Sequence, residues 1–211
     1  MNYASEIAKQ LLQIKAIKLN PQKPFRWASG RFSPIYCDNR MVLSYPDTRN
    51  LVLDGFENLA KLFGQIDGIA GVATAGIPHG ALLADRLGVP FIYVRSASKS
   101  HGRQNQIEGE IRPGQRVLVI EDLISTGGSC LKAVDALKDA GIEPVAVLAI
   151  FTYQLPAATK AFAQAELDFK TLTDYSTLLE RANTDQLIQA ADLETLKNWR
   201  HDPIAWSEQF S

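Results

Sequence analysis

The sequence predicts an α/β fold in which helices cover both faces of a parallel sheet. Four short runs are apolar throughout, helical patterns lie between most of them, and the runs lack the alternation of strands with one face in water. The chain has 211 residues, enough for one substantial core and too few for two domains of usual size. The predicted strands are Ile69–Ala73, Phe91–Val94, Val117–Ile120 and Val145–Phe151.

A small hood, approximately residues 1–45, precedes this core. Apolar residues at helical spacing predict an amphipathic helix from Tyr3 to Ile17, which ends before Pro21. Two short extended pieces follow, at Phe25–Trp27 and Pro34–Cys37.

The core, approximately residues 46–175, alternates helices with the predicted strands. Asp47 is a candidate N-cap for a helix that runs to about Phe63. Two or three short helices are expected from Tyr175 to Arg200, within a C-terminal part of approximately 176–211. Further predicted elements are helices at Pro78–Leu87 and Ser129–Ala140 and a strand near Phe169–Leu172.

Composition excludes several classes of protein. With 22 Lys and Arg against 23 Asp and Glu, the net charge is -1, so no overall field attracts nucleic acid or anionic lipid. The longest apolar run covers Val145–Phe151, far short of the roughly 20 residues that cross a bilayer. The N-terminus lacks the pattern of a secretory signal, and Cys37 and Cys130 are too few for a disulfide framework or a CxxC zinc site. We therefore expect a cytoplasmic protein with no membrane or nucleic-acid partner and no metal site made by the chain alone.

The segment Val117–Ser129 carries the strongest chemical signal. An apolar strand is followed by Glu121 and Asp122, whose carboxylates can accept hydrogen bonds from vicinal hydroxyls such as those of a ribose. The loop Ser125–Ser129 contains only Ser, Thr and Gly, and it leads into a helix whose first N–H groups can bind phosphate. Together these features predict a cradle for a ribose 5-phosphate.

Other phosphate and hydrolase motifs are absent. No GxGxxG, HExxH or GxSxG occurs, and Gly71–Gly76 is followed by Ile77-Pro78 where a Walker loop has Lys-Ser/Thr. Val72–His79 can offer N–H groups to a diphosphate from a tight turn.

Residues 117–129 resemble the signature with which type I phosphoribosyltransferases bind 5-phosphoribosyl 1-diphosphate (PRPP). Within that family the chain is similar to the orotate-using members over nearly its whole length. The further similar segments are Phe25–Pro34 in the hood, Gly71–Gly80 in the diphosphate loop, Arg95–Gly109 in the catalytic loop and Phe169–Tyr175 at the C-terminal strand-helix junction.

The resemblance implies transfer of the 5-phosphoribosyl group from PRPP to orotate, with Mg2+ held mainly through PRPP. It also implies a homodimer in which the catalytic loop of one subunit closes over the active site of the other. Lys99, His101 and Asp122 are the implied catalytic residues, and Ser125 is the implied contact to orotate. The implied PRPP-binding residues are Arg95, Lys99, His101, Glu121, Asp122, Leu123, Ile124, Ser125, Thr126, Gly127, Gly128 and Ser129.

Two positions depart from the pattern of some members. Ala28 stands where they carry a lysine in the hood, and Tyr153 stands where they carry an arginine that meets the orotate carboxylate. Phe25, Arg26 and Tyr36 are candidates for base contacts, and hood packing explains Phe25 and Tyr36 equally well.

Two alternatives stay open from the residues. A purine or uracil phosphoribosyltransferase would share residues 117–129 and differ in the hood. An RNA-binding regulator on the same fold would need a basic face, which the near-zero net charge disfavours.

Overall fold

The computed structural model describes residues 3–27, 29–96 and 106–210. The strands are β1 (Ile17–Leu19), β2 (Phe25–Arg26), β3 (Phe32–Ser33), β4 (Ile35–Cys37), β5 (Gly68–Val72), β6 (Phe91–Val94), β7 (Ile107–Glu108), β8 (Arg116–Ile124), β9 (Glu143–Thr152) and β10 (Phe169–Asp174). The helices are α1 (Tyr3–Gln13), α2 (Pro46–Ala60), α3 (Gly76–Leu87), α4 (Gly128–Asp139), α5 (Pro156–Gln164), α6 (Tyr175–Thr184), α7 (Ala190–His201) and α8 (Pro203–Glu208), with 3-10 turns at Asn39–Ser44 and Lys61–Phe63.

In the described part of the chain, six strands form one sheet in the order β10-β9-β8-β5-β6-β7. All neighbours run parallel except β6 and β7, which are antiparallel. In the hood, β1 pairs with β4 and β2 with β3, both antiparallel. The predicted α/β fold with a parallel sheet is confirmed.

Two apolar clusters lie on the two faces of the sheet, as buried parallel strands require. Along β8 the side chains alternate, so Leu118 and Ile120 join one cluster and Val117 and Val119 the other. Helices α4 and α5 cover the second cluster, while α1, α2, α3, α6 and α7 contribute to the first. None of the helices in the described ranges is long and apolar enough to span a bilayer.

Several predicted boundaries are wrong for local reasons. The first helix ends at Gln13 because Lys15 adopts a left-handed conformation (φ 58°), and Ile17 then pairs with Cys37 in the β1–β4 ladder. Asp47 lies in the first turn of α2 and Tyr45 is the N-cap, because Pro46 takes the first helical position.

Two further differences concern the sheet and the C-terminus. The segment Arg95–Gly109, predicted wholly as a loop, contains β7, which pairs with the end of β6. The C-terminal part has three helices, and the last, α8, lies beyond Arg200. Its start is capped by Asp202, whose carboxylate accepts hydrogen bonds from the N–H groups of Ile204 and Ala205.

Candidate active site

The acidic pair lies within β8, because the strand continues to Ile124 instead of ending at Ile120 as predicted. Glu121 pairs with Ala149 and Leu123 with Phe151 in the ladder to β9. Glu121 and Asp122 are consecutive residues at the carboxyl end of the sheet, and the Asp122 N–H donates to Glu121 Oε1 at 3.0 Å.

Glu121 is a buried carboxyl group, 6% exposed. Burial, reinforced by the negative charge of Asp122, raises its pKa to about 9. A carboxyl group with that pKa is protonated at neutral pH and can donate or accept a hydrogen bond. Burial and then Glu121 also raise the pKa of the nearby Cys130 thiol to about 12, so this thiol stays protonated.

Asp122 is half-buried and faces the hood. The Nδ2 group of Asn39 donates to its main-chain oxygen at 2.7 Å, and Asn39 is completely buried. Burial raises the pKa of Asp122. Asn39 therefore joins the hood to the carboxyl end of β8, a contact that sequence reasoning missed because the two residues lie 83 positions apart.

The predicted phosphate cradle comes directly after β8 in the chain. Gly127, with φ 83°, forms the N-cap of α4 without a side-chain cap, so the first N–H groups of that helix are available to a ligand. Thr126, Gly128 and Ser129 are exposed, whereas Gly127 is buried and packs so closely that an added Cβ would lie 2.9 Å from Phe162. The arrangement suits an anion at the start of a twelve-residue helix.

The turn after β5 lies against the acidic strand. Gly76 begins α3, and a Cβ there would overlap the carbonyl oxygen of Ile120 and lie 3.3 Å from the Cα of Glu121. Only glycine permits this approach. The predicted diphosphate loop and the acidic pair are therefore brought together.

Arg95 follows β6, and its Nη1 lies 3.5 Å from Glu108 Oε1. A cavity of about 630 Å3 lies between the ends of β5 and β6 and one side of α4, along its length from Gly128 to Asp139. Val72, Ala73, Arg95, Gly128 and Ser129 are among the residues that line it. Lys99 and His101 lie outside the described residues.

An aromatic layer closes the hood side of the site. Trp27 stacks on Tyr153, with ring centroids 5.5 Å apart, and Trp199 of α7 meets both rings edge-on. The Tyr153 N–H donates to the Ile124 carbonyl at 3.2 Å, which places this layer beside Ser125. Sequence reasoning missed Trp27 and Trp199, since nothing local links residues so far apart.

Comparison with known proteins places the chain in a family. The family model for the phosphoribosyl transferase domain matches residues 44–165. The chain is 52% identical over 207 residues to orotate phosphoribosyltransferase of Streptococcus agalactiae, covering 98% of this chain and 99% of that protein. The chain belongs to the orotate phosphoribosyltransferase family. A second family member, from Phocaeicola vulgatus, is 54% identical over 200 residues, which is 94% of each chain.

Solved structures of relatives agree with the fold. The crystal structure of orotate phosphoribosyltransferase from Aeropyrum pernix aligns with a TM-score of 0.75 and 30% identity, over 84% of this chain and 98% of that one. Leishmania donovani UMP synthase aligns with a TM-score of 0.79 and 28% identity. The match covers 93% of this chain but only 42% of the length of that synthase.

Proposed function

We propose that the chain transfers the 5-phosphoribosyl group from PRPP to orotate, giving orotidine 5'-monophosphate (OMP) and diphosphate in the synthesis of UMP. The observation that carries this proposal is the junction of β8 and α4. There, in a member of the orotate phosphoribosyltransferase family, two carboxyl groups stand next to an uncapped helix start. We assign the activity to the cytoplasm, because PRPP is a highly charged substrate that does not cross a bilayer unaided.

Different groups of residues have different roles in the reaction. Glu121 and Asp122 receive the ribose hydroxyls, and Thr126 to Ser129 bind the 5-phosphate. A carboxylate beside the ribose also favours the positive charge that develops at C1 as the bond to diphosphate breaks. Arg95, Lys99 and His101 stabilise the departing diphosphate, while Ser125 contacts orotate. Leu123 and Ile124 contribute backbone beside the ribose.

Mg2+ is expected to enter with PRPP. Among the described residues, no group of three or more His, Cys, Asp or Glu side chains is placed to hold a metal ion without the substrate. A hard cation of this kind keeps water and substrate oxygens as its main ligands. When bound, the ion would neutralise diphosphate charge, and the chain's residues would orient the sugar and exclude water.

A panel of bases tests the proposed function. The chain is incubated with PRPP and Mg2+ and then with orotate, uracil, hypoxanthine or adenine, and diphosphate release is measured. Orotate alone is expected to give rapid turnover, and excess chelator is expected to abolish it. Preference for another base would contradict the assignment to orotate while leaving the fold unaffected.

Asp122→Asn is expected to lower kcat/KM for PRPP. The amide preserves the shape but loses the charge that accepts a ribose hydroxyl, a change worth a roughly tenfold to hundredfold loss. The melting temperature is expected to stay close to that of the wild type, because Asp122 is only half-buried. A variant with wild-type kinetics would remove Asp122 from the site.

The family resemblance also leads us to propose a homodimer whose catalytic loops are exchanged. Each active site would then combine a PRPP cradle from one subunit with Lys99 and His101 from the other. Mixing Lys99→Ala with Asp122→Asn under subunit exchange makes half of the dimers mixed, and each mixed dimer has one intact site. Roughly a quarter of wild-type activity is therefore expected to return. If exchange is verified and no activity returns, the loop serves its own subunit.

A further inference from the structure

Orotate carries a carboxylate that uracil lacks, and a cation beside the base favours orotate over uracil. By the family resemblance, Ala28 and Tyr153 stand at two positions where some members carry a cationic side chain. Tyr153 is 3% exposed and stacked on Trp27, so its neutral ring belongs to the packed layer of the hood. A cation for the orotate carboxylate is therefore sought among the other residues near the site.

Arg40 lies beside the contact that joins the hood to β8. It follows Asn39, whose Nδ2 is hydrogen-bonded to the Asp122 carbonyl at 2.7 Å, so the start of the 3-10 turn is fixed against the carboxyl end of β8. The pKa of Arg40 is raised, chiefly by hydrogen bonds to Asp38, with smaller contributions from Tyr36 and Asp122. The charges of Tyr36 and Asp122 therefore both act on the Arg40 guanidinium.

The guanidinium of Arg40 is already oriented. Its Nε lies 2.6 Å from Asp38 Oδ1 and its Nη2 lies 2.9 Å from Asp38 Oδ2, a side-on pair. This pair uses two of the five N–H donors of an arginine, so the end-on edge formed by Nη1 and Nη2 can receive a second carboxylate. The side chain is 63% exposed, so a ligand can approach it without unfolding the hood.

We propose that Arg40 is the specificity-determining residue that binds the carboxylate of orotate, and that Asp38 positions its guanidinium. The inference rests on the proposed function and deepens it. It also gives the hood contact of Asn39 a role, because that contact holds the turn that carries Arg40 against β8.

OMP and UMP provide a direct test, because they differ only by that carboxylate. Their dissociation constants are measured by calorimetry for the wild type, Arg40→Gln, Arg26→Gln and Arg31→Gln. Arg40→Gln is expected to weaken OMP binding roughly tenfold to hundredfold and to leave UMP binding within about twofold. Arg31→Gln, in the turn between β2 and β3, is the matched control and should change neither constant. Asp38→Asn should reduce the preference for OMP by a smaller factor.

Three outcomes would overturn the proposal. Equal losses for OMP and UMP would assign Arg40 to the phosphate or the fold, and unchanged constants would remove it from the site. A loss of OMP selectivity in Arg26→Gln alone would assign the carboxylate to that residue. Failure of the wild type to use orotate in the base panel would instead reject the proposed function, so the two failures are distinguishable.

Discussion

Gly76→Ala is expected to destabilise the protein and to disable PRPP binding in the molecules that still fold. The added Cβ would overlap the Ile120 carbonyl oxygen. The position of a Cβ is fixed by its backbone and the oxygen belongs to the main chain, so no side-chain rotation can relieve the overlap. Overpacking of this kind costs about 3 kcal/mol or more, which for a chain of this size lowers the melting temperature by roughly 6–12 °C. The diphosphate loop would move away from β8, so calorimetry should show weakened PRPP binding.

Gly128→Ala is the matched control for folding. A Cβ at Gly128 would meet only the Thr126 hydroxyl, at 3.9 Å, which is ordinary contact. Its melting temperature is therefore expected to match that of the wild type. A Gly76→Ala protein with unchanged stability and unchanged PRPP affinity would show that the close approach of α3 to β8 is dispensable.

The sheet was predictable because its strands are buried on both faces. In a strand such as Val117–Ile120 every side chain is apolar, whichever face of the sheet it lies on. The strand can therefore be recognised without knowing how it pairs with its neighbours. The predicted strand ends before Glu121–Ile124, because acidic residues usually end a buried strand. Their place in β8 depends on the ladder to β9, a tertiary interaction that local pattern does not report.

The phosphate-binding part of the site was predictable for a similar reason. Its ligands are main-chain N–H groups, and the small residues Ser125–Ser129 reveal them locally. The base side is built instead from residues brought together by folding, such as Asn39 on Asp122 and Trp27 on Tyr153. Neither pair leaves a local pattern in the sequence.

Ribose 5-phosphate is expected to bind more tightly as the pH rises from about 7 to about 9. Burial and the charge of Asp122 raise the pKa of Glu121 to about 9, so the empty site holds a proton at neutral pH. A ribose hydroxyl that donates to Glu121 favours the ionised carboxylate, so binding releases that proton. Affinity should then rise by up to about tenfold per pH unit below the pKa of the empty site and level off above it.

Two variants distinguish the ionisation of Glu121 from the ionisation of other groups. Glu121→Gln cannot ionise, so its affinity for ribose 5-phosphate should be flat over the same range. Asp122→Asn removes the neighbouring charge that helps to raise the pKa of Glu121, so its affinity should level off at a lower pH. The ligand needs no metal ion, and its phosphate titrates near pH 6, below the range used. Calorimetry in buffers of different ionisation enthalpy measures the number of protons released on binding. If the wild type releases none, Glu121 keeps its proton when the ribose binds.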